Sequence, residues 1–176
     1  MKQTDNFKFD EANVMNELVY RNLSEDAKRQ ICAWKYGGEY DLYNLPSYEE
    51  MQVRQIGFMN PQRKKNYYGF WDESILVGFV NILEEKEEIF IGIGVNPDLC
   101  NKHYGQRMLS ITYEISKKLY PNKPLYLEVR TWNIRAIKCY QKAGFRIDGQ
   151  AYELTTGIGL SLIHISEPTR PEPISY

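Results

Sequence analysis

The chain has 176 residues, 43% hydrophobic and 26% charged, with a formal net charge of −1 at pH 7. That length suits one domain with a single well-developed core and is short for two. The near-neutral balance speaks against a nucleic-acid-binding protein, which carries a basic face. No window nears the roughly 18 consecutive apolar residues that a membrane span needs, and Met1-Lys2-Gln3-Thr4-Asp5 opens no secretory signal. Cys32, Cys100 and Cys139 are odd in number and widely spaced, and only His103 and His164 join them. This pattern fits a reducing cytoplasm and speaks against a structural zinc site, so no metal is expected. The excess residue is tyrosine, at 14, which packs like a hydrophobe and keeps a polar tip for a partly polar ligand.

From Val14 to Leu23 the apolar residues lack helical spacing and predict a first strand. Ser24, followed by Glu25 and Asp26, supplies an N-cap and first-turn acids for a helix running to about Trp34. The stretch Trp34 to Tyr48, rich in Tyr, Gly and Pro, reads as a loop. Ser47 caps a second helix expected over SYEEMQVRQIGFM and ending before Pro61. Then Asn66 to Trp71, Ile75 to Leu83 and Glu88 to Val95 are strand-like runs separated by short acidic turns, which predicts an antiparallel meander.

A helix is expected from about His103 to Tyr120, with Met108, Ile111, Ile115 and Leu119 as its buried stripe and Pro121 and Pro124 beyond its end. Leu125 to Thr131 alternates and predicts a strand with Leu125, Leu127 and Val129 on one side. Asn133 to Ala143 is a helix with Gly144 at its C′ position, and Phe145 to Ile147 begins another strand. The order β-α-α-β-β-β-α-β-α-β predicts an α+β fold. Its central sheet is mixed, mostly antiparallel, and flanked by helices on both faces.

Residues 1–159 are expected to form the domain, and residues 160–176 an atypical Pro-rich tail. Leu160 to Ile165 has the composition of one last strand, while the prolines after it cannot enter a ladder. The run SLIHISEPTRP resembles translated cloning-adapter sequence more than a natural domain, and no function is assigned to it.

The segment IFIGIGVNPDLCNKHYGQRM joins a strand to a helix through a Pro-containing loop. A helix N-terminus exposes unpaired N–H groups and a partial positive charge, an anion site. Cys100 to Gly105 would point successive N–H groups into one concavity suited to a pyrophosphate, with Lys102, His103 and Arg107 adding cationic side chains. Taken alone, the same residues equally describe an ordinary connection with a solvated basic face.

Here the sequence resembles the GCN5-related N-acetyltransferase (GNAT) superfamily. That family carries Arg or Gln, two residues, Gly, one residue, then Gly or Ala at this turn, commonly after a valine and a proline. Cys100, His103 and Gly105 occupy those positions, behind Val95 and Pro97. Cys100 and His103 depart from the pattern. The family's second signature, N-x-x-A-x-x-x-Y-x-x-x-G-F, is matched by Asn133, Ala136, Tyr140, Gly144 and Phe145 after the strand LYLEV.

The resemblance spans about Leu18 to Tyr152 and implies acetyl transfer from acetyl-coenzyme A, as co-substrate, to a primary amine by direct attack. It implies a coenzyme wedge between the strand ending at Val95 and the strand from Leu125, with main-chain groups of Ile93 and Val95 holding the pantetheine. Cys100, Asn101, Lys102 and His103, with Tyr104, Gly105 and Gln106, would cradle the phosphates. Asn133 would cap its helix or reach the pantetheine amides, with Ala136 beside it. Tyr140 is the expected proton or hydrogen-bond donor to the departing thiol. Glu128 and Glu88 are the carboxylate candidates for deprotonating the amine, each otherwise a solvated surface acid. The aromatics Trp34, Tyr36, Tyr40 and Tyr43 are expected around the acceptor, a small-molecule or peptide amine. Neither a nucleic-acid nor a membrane partner is expected, and monomer and homodimer stay open. The alternative, favoured by Cys100 and His103, is a non-catalytic acyl-coenzyme A sensor or structural module of the same fold.

Overall fold

The computed structural model describes residues 17–147, 152–153 and 161–166. The first expected strand starts at Val14, so its opening residues lie outside the described residues, as does the Pro-rich segment 167–176. Within them the chain forms β1 (Val19–Asn22), α1 (Glu25–Ala33), α2 (Tyr48–Arg54), β2 (Tyr67–Asp72), β3 (Ile75–Glu84) and β4 (Ile89–Val95). Then follow α3 (Tyr104–Leu119), β5 (Leu125–Arg130), α4 (Ile134–Lys142), β6 (Arg146–Ile147), β7 (Tyr152–Glu153) and β8 (Ser161–Ser166).

One sheet runs in the order β1-β2-β3-β4-β5-β8-β6, with β7 paired to β8. Pairing from β1 to β4 is antiparallel, and short acidic turns account for it at β2–β3 and β3–β4. The β4–α3–β5 crossover makes β4 and β5 parallel. Beyond β5, β8 pairs antiparallel with both β5 and β6. The boundary expected at residue 159 thus falls between β7 and β8, next to a strand hydrogen-bonded on both sides.

Helices cover both faces. On one, α3 and α4 bring Met108, Leu109, Ile115 and Ile137 onto Val80, Ile82, Ile91, Leu127 and Val129. On the other, α1 and α2 bring Ala27, Ile31, Cys32 and Met51 onto Tyr67, Trp71 and Leu76. Both helices start on serine caps: Ser24 Oγ accepts from the Ala27 N–H, and Ser47 Oγ from the Glu50 N–H.

Two local expectations are corrected. The second helix stops at Arg54 rather than near Met59, because Gln55 turns left-handed at φ 50° and Gly57 follows at φ 55°. Residues Gly57–Met59 then form a separate 3₁₀ turn. The buried stripe of α3 is also rotated from the expected one. Met108 and Ile115 are buried, but with Leu109, Thr112 and Ser116, while Leu119 is 50% exposed. Thr112 tolerates burial because its hydroxyl donates to the Met108 carbonyl at 2.7 Å.

Candidate active site

The site begins where β4 and β5 part. They pair only at Ile89 with Leu125 and Phe90 with Tyr126. Past that point each keeps its outer partner: β4 stays on β3 as far as Val95 opposite Gly78, and β5 stays on β8 as far as Arg130. Asn96 holds the end of β4 to β3, its N–H donating to the Val77 carbonyl at 2.8 Å and its side-chain amide to the Leu76 carbonyl at 3.2 Å. The wedge is therefore built by strands pulled apart by their outer neighbours.

Main-chain direction in this wedge follows from strand alternation. The Ile89 N–H donates to the Pro124 carbonyl, 2.8 Å, toward β5. A strand repeats every two residues, so the main-chain groups of Ile91, Ile93 and Val95 also face the fork. The Val95 carbonyl already accepts from the Tyr36 hydroxyl at 2.6 Å, which ties the early loop across the wedge. The fork opens into a cavity of about 1000 Å³, at the top of the roughly 300–1,000 Å³ range for small-molecule sites.

The loop into α3 forms one wall. Cys100, Asn101, His103, Tyr104, Gly105 and Gln106 line the cavity, whereas Lys102 is exposed outside it. Asn101 (φ 63°) and His103 (φ 64°) are both left-handed. That conformation is free for glycine and costs other residues roughly 1–2 kcal/mol, which accounts for the glycine of the family pattern at the place of His103. Histidine and asparagine are among the residues that adopt it most readily. Gly105 is required for another reason: a Cβ there would lie 2.8 Å from Cys139 Sγ on α4. The Tyr104 hydroxyl donates to Asp72 at 2.5 Å, pinning the start of α3 to β2.

The opposite wall is α4. Asn133 caps this helix, its Oδ1 accepting from the Ala136 N–H at 3.1 Å, and its amide donates to the Tyr43 hydroxyl at 3.0 Å. Of its two expected roles, this geometry gives it the cap. Gly144 makes the expected left-handed exit at φ 96°. Tyr140 lines the cavity one helical turn from Ala136, which also lines it. Burial pushes the Tyr140 phenol well above its usual pKa, and the neighbouring Cys139 and Tyr43 add to the rise. It stays protonated, a donor rather than a base.

The two carboxylate candidates separate. Glu128, on β5, lines the cavity. Since Leu127 and Val129 point into the α3/α4 core, alternation puts Glu128 on the opposite face, with Phe90 and Gly92. Glu88 precedes β4 at the closed end of the fork and does not line the cavity. The expected aromatic enclosure divides likewise. Trp34, Tyr36 and Tyr43 line the cavity, while Tyr40 packs on Trp132 at 5.5 Å and carries the Arg135 guanidinium over its ring at 4.2 Å.

Tyr67, Phe79, Asn81, Phe90 and Arg135 also line the cavity and were not expected there. The strands of the first four and the helix of Arg135 were legible, but helices cover both faces of the sheet and both faces are apolar, so alternation alone does not tell which side holds a ligand. Among the described residues no helix is long and apolar enough to cross a membrane.

The model of the acetyltransferase (GNAT) family matches residues 28–145. No curated protein matches the chain in sequence. Solved structures do resemble it. A chimera of spermidine N-acetyltransferase SpeG from Vibrio cholerae and hSSAT has a TM-score of 0.71 at 19% identity, covering 86% of this chain and 95% of that one. The Vibrio cholerae spermidine N-acetyltransferase in complex with CoA and spermine has a TM-score of 0.60 at 17% identity, covering 85% and 94%. The ribosomal-protein-S18-alanine N-acetyltransferase of Escherichia coli has a TM-score of 0.60 at 19% identity, covering 90% and 99%. At these identities the structural likeness establishes the acyl-CoA N-acyltransferase fold. With the family match spanning well over half of its length, the chain belongs to the GNAT acetyltransferase family.

Proposed function

We propose that this protein transfers an acetyl group from acetyl-coenzyme A to a primary amine by direct attack. The observation that carries the reading is the β4–β5 fork, a cavity with bare β4 main chain on one side, the α3 N-terminus at one wall and Tyr140 at the other. These features fit the coenzyme part by part. Main-chain groups of Ile93 suit the pantetheine amides, and the N–H groups from Cys100 to Gln106 suit phosphate oxygens. Val95 offers its N–H, while Tyr36 takes up part of its carbonyl. Acetyl-coenzyme A, bound there, supplies the acetyl group as a thioester.

The chain's own groups would then act as follows. Main-chain N–H donors of β4 stabilise the negative charge that develops on the acetyl oxygen. As the amine nitrogen bonds to the acetyl carbon, the carbon–sulfur bond breaks and its electron pair leaves on sulfur. Tyr140, kept protonated by burial, donates a hydrogen bond to that sulfur. Glu128, facing the cavity, accepts the proton the amine loses, directly or through water. Positioning supplies most of the rate in this scheme.

The test is calorimetric titration of the full chain with acetyl-coenzyme A, followed by thiol release on adding amines. Micromolar binding with amine-dependent release supports the proposal. Absence of binding overturns it. Binding without release for any amine leaves the non-catalytic sensor as the correct reading.

A further inference from the structure

The acceptor side of the cavity has a composition that restricts the amine. Its floor is the sheet face opposite the α3/α4 core. Tyr67, Asn81 and Gly92 stand in register across β2, β3 and β4, and Phe79 stands opposite Gly94 in the next row. A Cβ at Gly94 would lie 2.4 Å from the Phe79 ring, so that ring already fills its place. At Gly92 a Cβ would meet only ordinary contacts, 3.6 Å to Asn81 Cβ, so the floor is open there. The walls are Ile31 and Trp34 from α1 and its end, and Leu45 from the loop. Trp34 packs on Phe79 at 6.2 Å, and Phe79 on Tyr67 at 6.5 Å.

Charge on this side is sparse. Among the described residues lining the cavity, Glu128 is the one carboxylate. An ammonium entering an aromatic arm loses water, a cost offset by an indole face and by a carboxylate. Glu128 and Trp34 together serve one such group. A second or third ammonium on the same molecule would be desolvated with no counter-charge. Asn81 adds a positive requirement. Its Oδ1 is buried with no hydrogen-bond partner, although the side chain lines the cavity. Buried acceptors are nearly always satisfied, so a donor is missing here. Asn81 lines the cavity, so an amine N–H bound there is the matching donor.

We infer that the acceptor is a monoamine with an aromatic or apolar body, seated over Gly92 beside the packed Trp34–Phe79 pair with its nitrogen directed to Asn81 and Glu128. This inference rests on the acetyl-transfer reading. With one carboxylate among the described lining residues, the same composition favours a monoamine over a polyamine, whose ammonium groups each need a counter-charge.

The experiment compares 2-phenylethylamine and tryptamine with spermidine and with a short peptide bearing a free N-terminus, reading kcat/KM from thiol release at fixed acetyl-coenzyme A. The arylalkylamines should exceed spermidine by at least about tenfold, the equivalent of one charged hydrogen bond. Equal or better use of spermidine or of the peptide overturns the inference and leaves acetyl transfer standing. Failure to bind the coenzyme, or to release thiol with any amine, overturns the transfer reading beneath it. Asn81→Leu sharpens the result: the amine KM should rise about tenfold while the calorimetric Kd for the coenzyme stays unchanged. An unchanged amine KM removes Asn81 from recognition. In a second variant, Gly92→Val, the filled floor should likewise raise the amine KM, and an unaltered value places the acceptor elsewhere.

Discussion

The two arms of the cavity meet along β4 and are made of different material. The arm proposed for the coenzyme is main chain: the fork-facing groups of Ile91, Ile93 and Val95 and the N-terminus of α3. The arm proposed for the acceptor is side chain: Trp34, Tyr67, Phe79, Asn81 and Glu128. Main-chain donors stay in place when side chains change, provided the backbone keeps its path. This is why, on the proposed reading, Cys100 and His103 can stand in the turn before α3 where the family pattern has other residues: His103 still reaches the left-handed conformation that the turn demands. Side-chain walls carry no such insurance, so the identity of the acceptor rests on a few positions. On the proposed reading, departures from the family motif should matter less in the first arm than single substitutions in the second.

The sharpest way to break that contrast is Gly105→Glu, which crowds the start of α3 against α4. Its Cβ would meet Cys139 Sγ at 2.8 Å, and its carboxylate would oppose an anion at the helix N-terminus. Coenzyme binding should be lost in calorimetry while circular dichroism still reports a folded chain. Retained binding would show that the coenzyme does not use this turn.

Tyr140→Phe should come next, with kcat lower by about a hundredfold and the coenzyme Kd unchanged. Equal losses in binding and turnover would take Tyr140 out of the chemistry. Because burial raises its pKa, the protonated donor persists to higher pH than an ordinary phenol. The unsubstituted protein should therefore show no loss of kcat from this group as pH rises to about 10, the usual tyrosine value. A falling limb below that pH, absent in the phenylalanine variant, would contradict the assignment.

Asn133→Ala tests structure rather than chemistry. It removes a cap and the bond to Tyr43, about 1 kcal/mol each. Thermal unfolding should shift down by about 4–8 °C, with little change in coenzyme affinity. A large affinity loss at unchanged stability would instead make Asn133 a ligand. The smallest effect is expected from His103→Gly, where relief of left-handed strain is partly offset by the greater freedom of glycine in the unfolded chain. Melting should rise by about 2 °C at most, with coenzyme binding retained. A loss of binding would give the imidazole a direct part in holding phosphate.

Much of this was legible in the order of residues. Period-two and period-three-to-four patterns depend on local chain geometry, and so do capping and turn chemistry. These predicted the meander β2–β4, the crossover through α3, and α4 with Asn133 at its start and Gly144 at its end. Even the cavity wall at the start of α3 was readable, because helix termini and strand edges carry their chemistry in the backbone. Where local signals competed, the reading failed: the apolar run after Arg54 looked helical, and Gln55 ended it by a left-handed turn. The stripe on α3 was rotated because the core accepted Thr112 and Ser116 rather than Leu119.

By itself, then, the sequence determined the elements, their order and the two signatures that flank the fork. Only the tertiary structure decided which residues share the cavity. Glu128 entered it and Glu88 did not, since β4 and β5 pair at the Glu88 end and separate toward Val95. Tyr40 was drawn off by Arg135 and Trp132, and Asn81 was brought in from the middle of β3. Contacts of this kind join residues far apart in the chain and depend on register and packing angle, which no local pattern encodes.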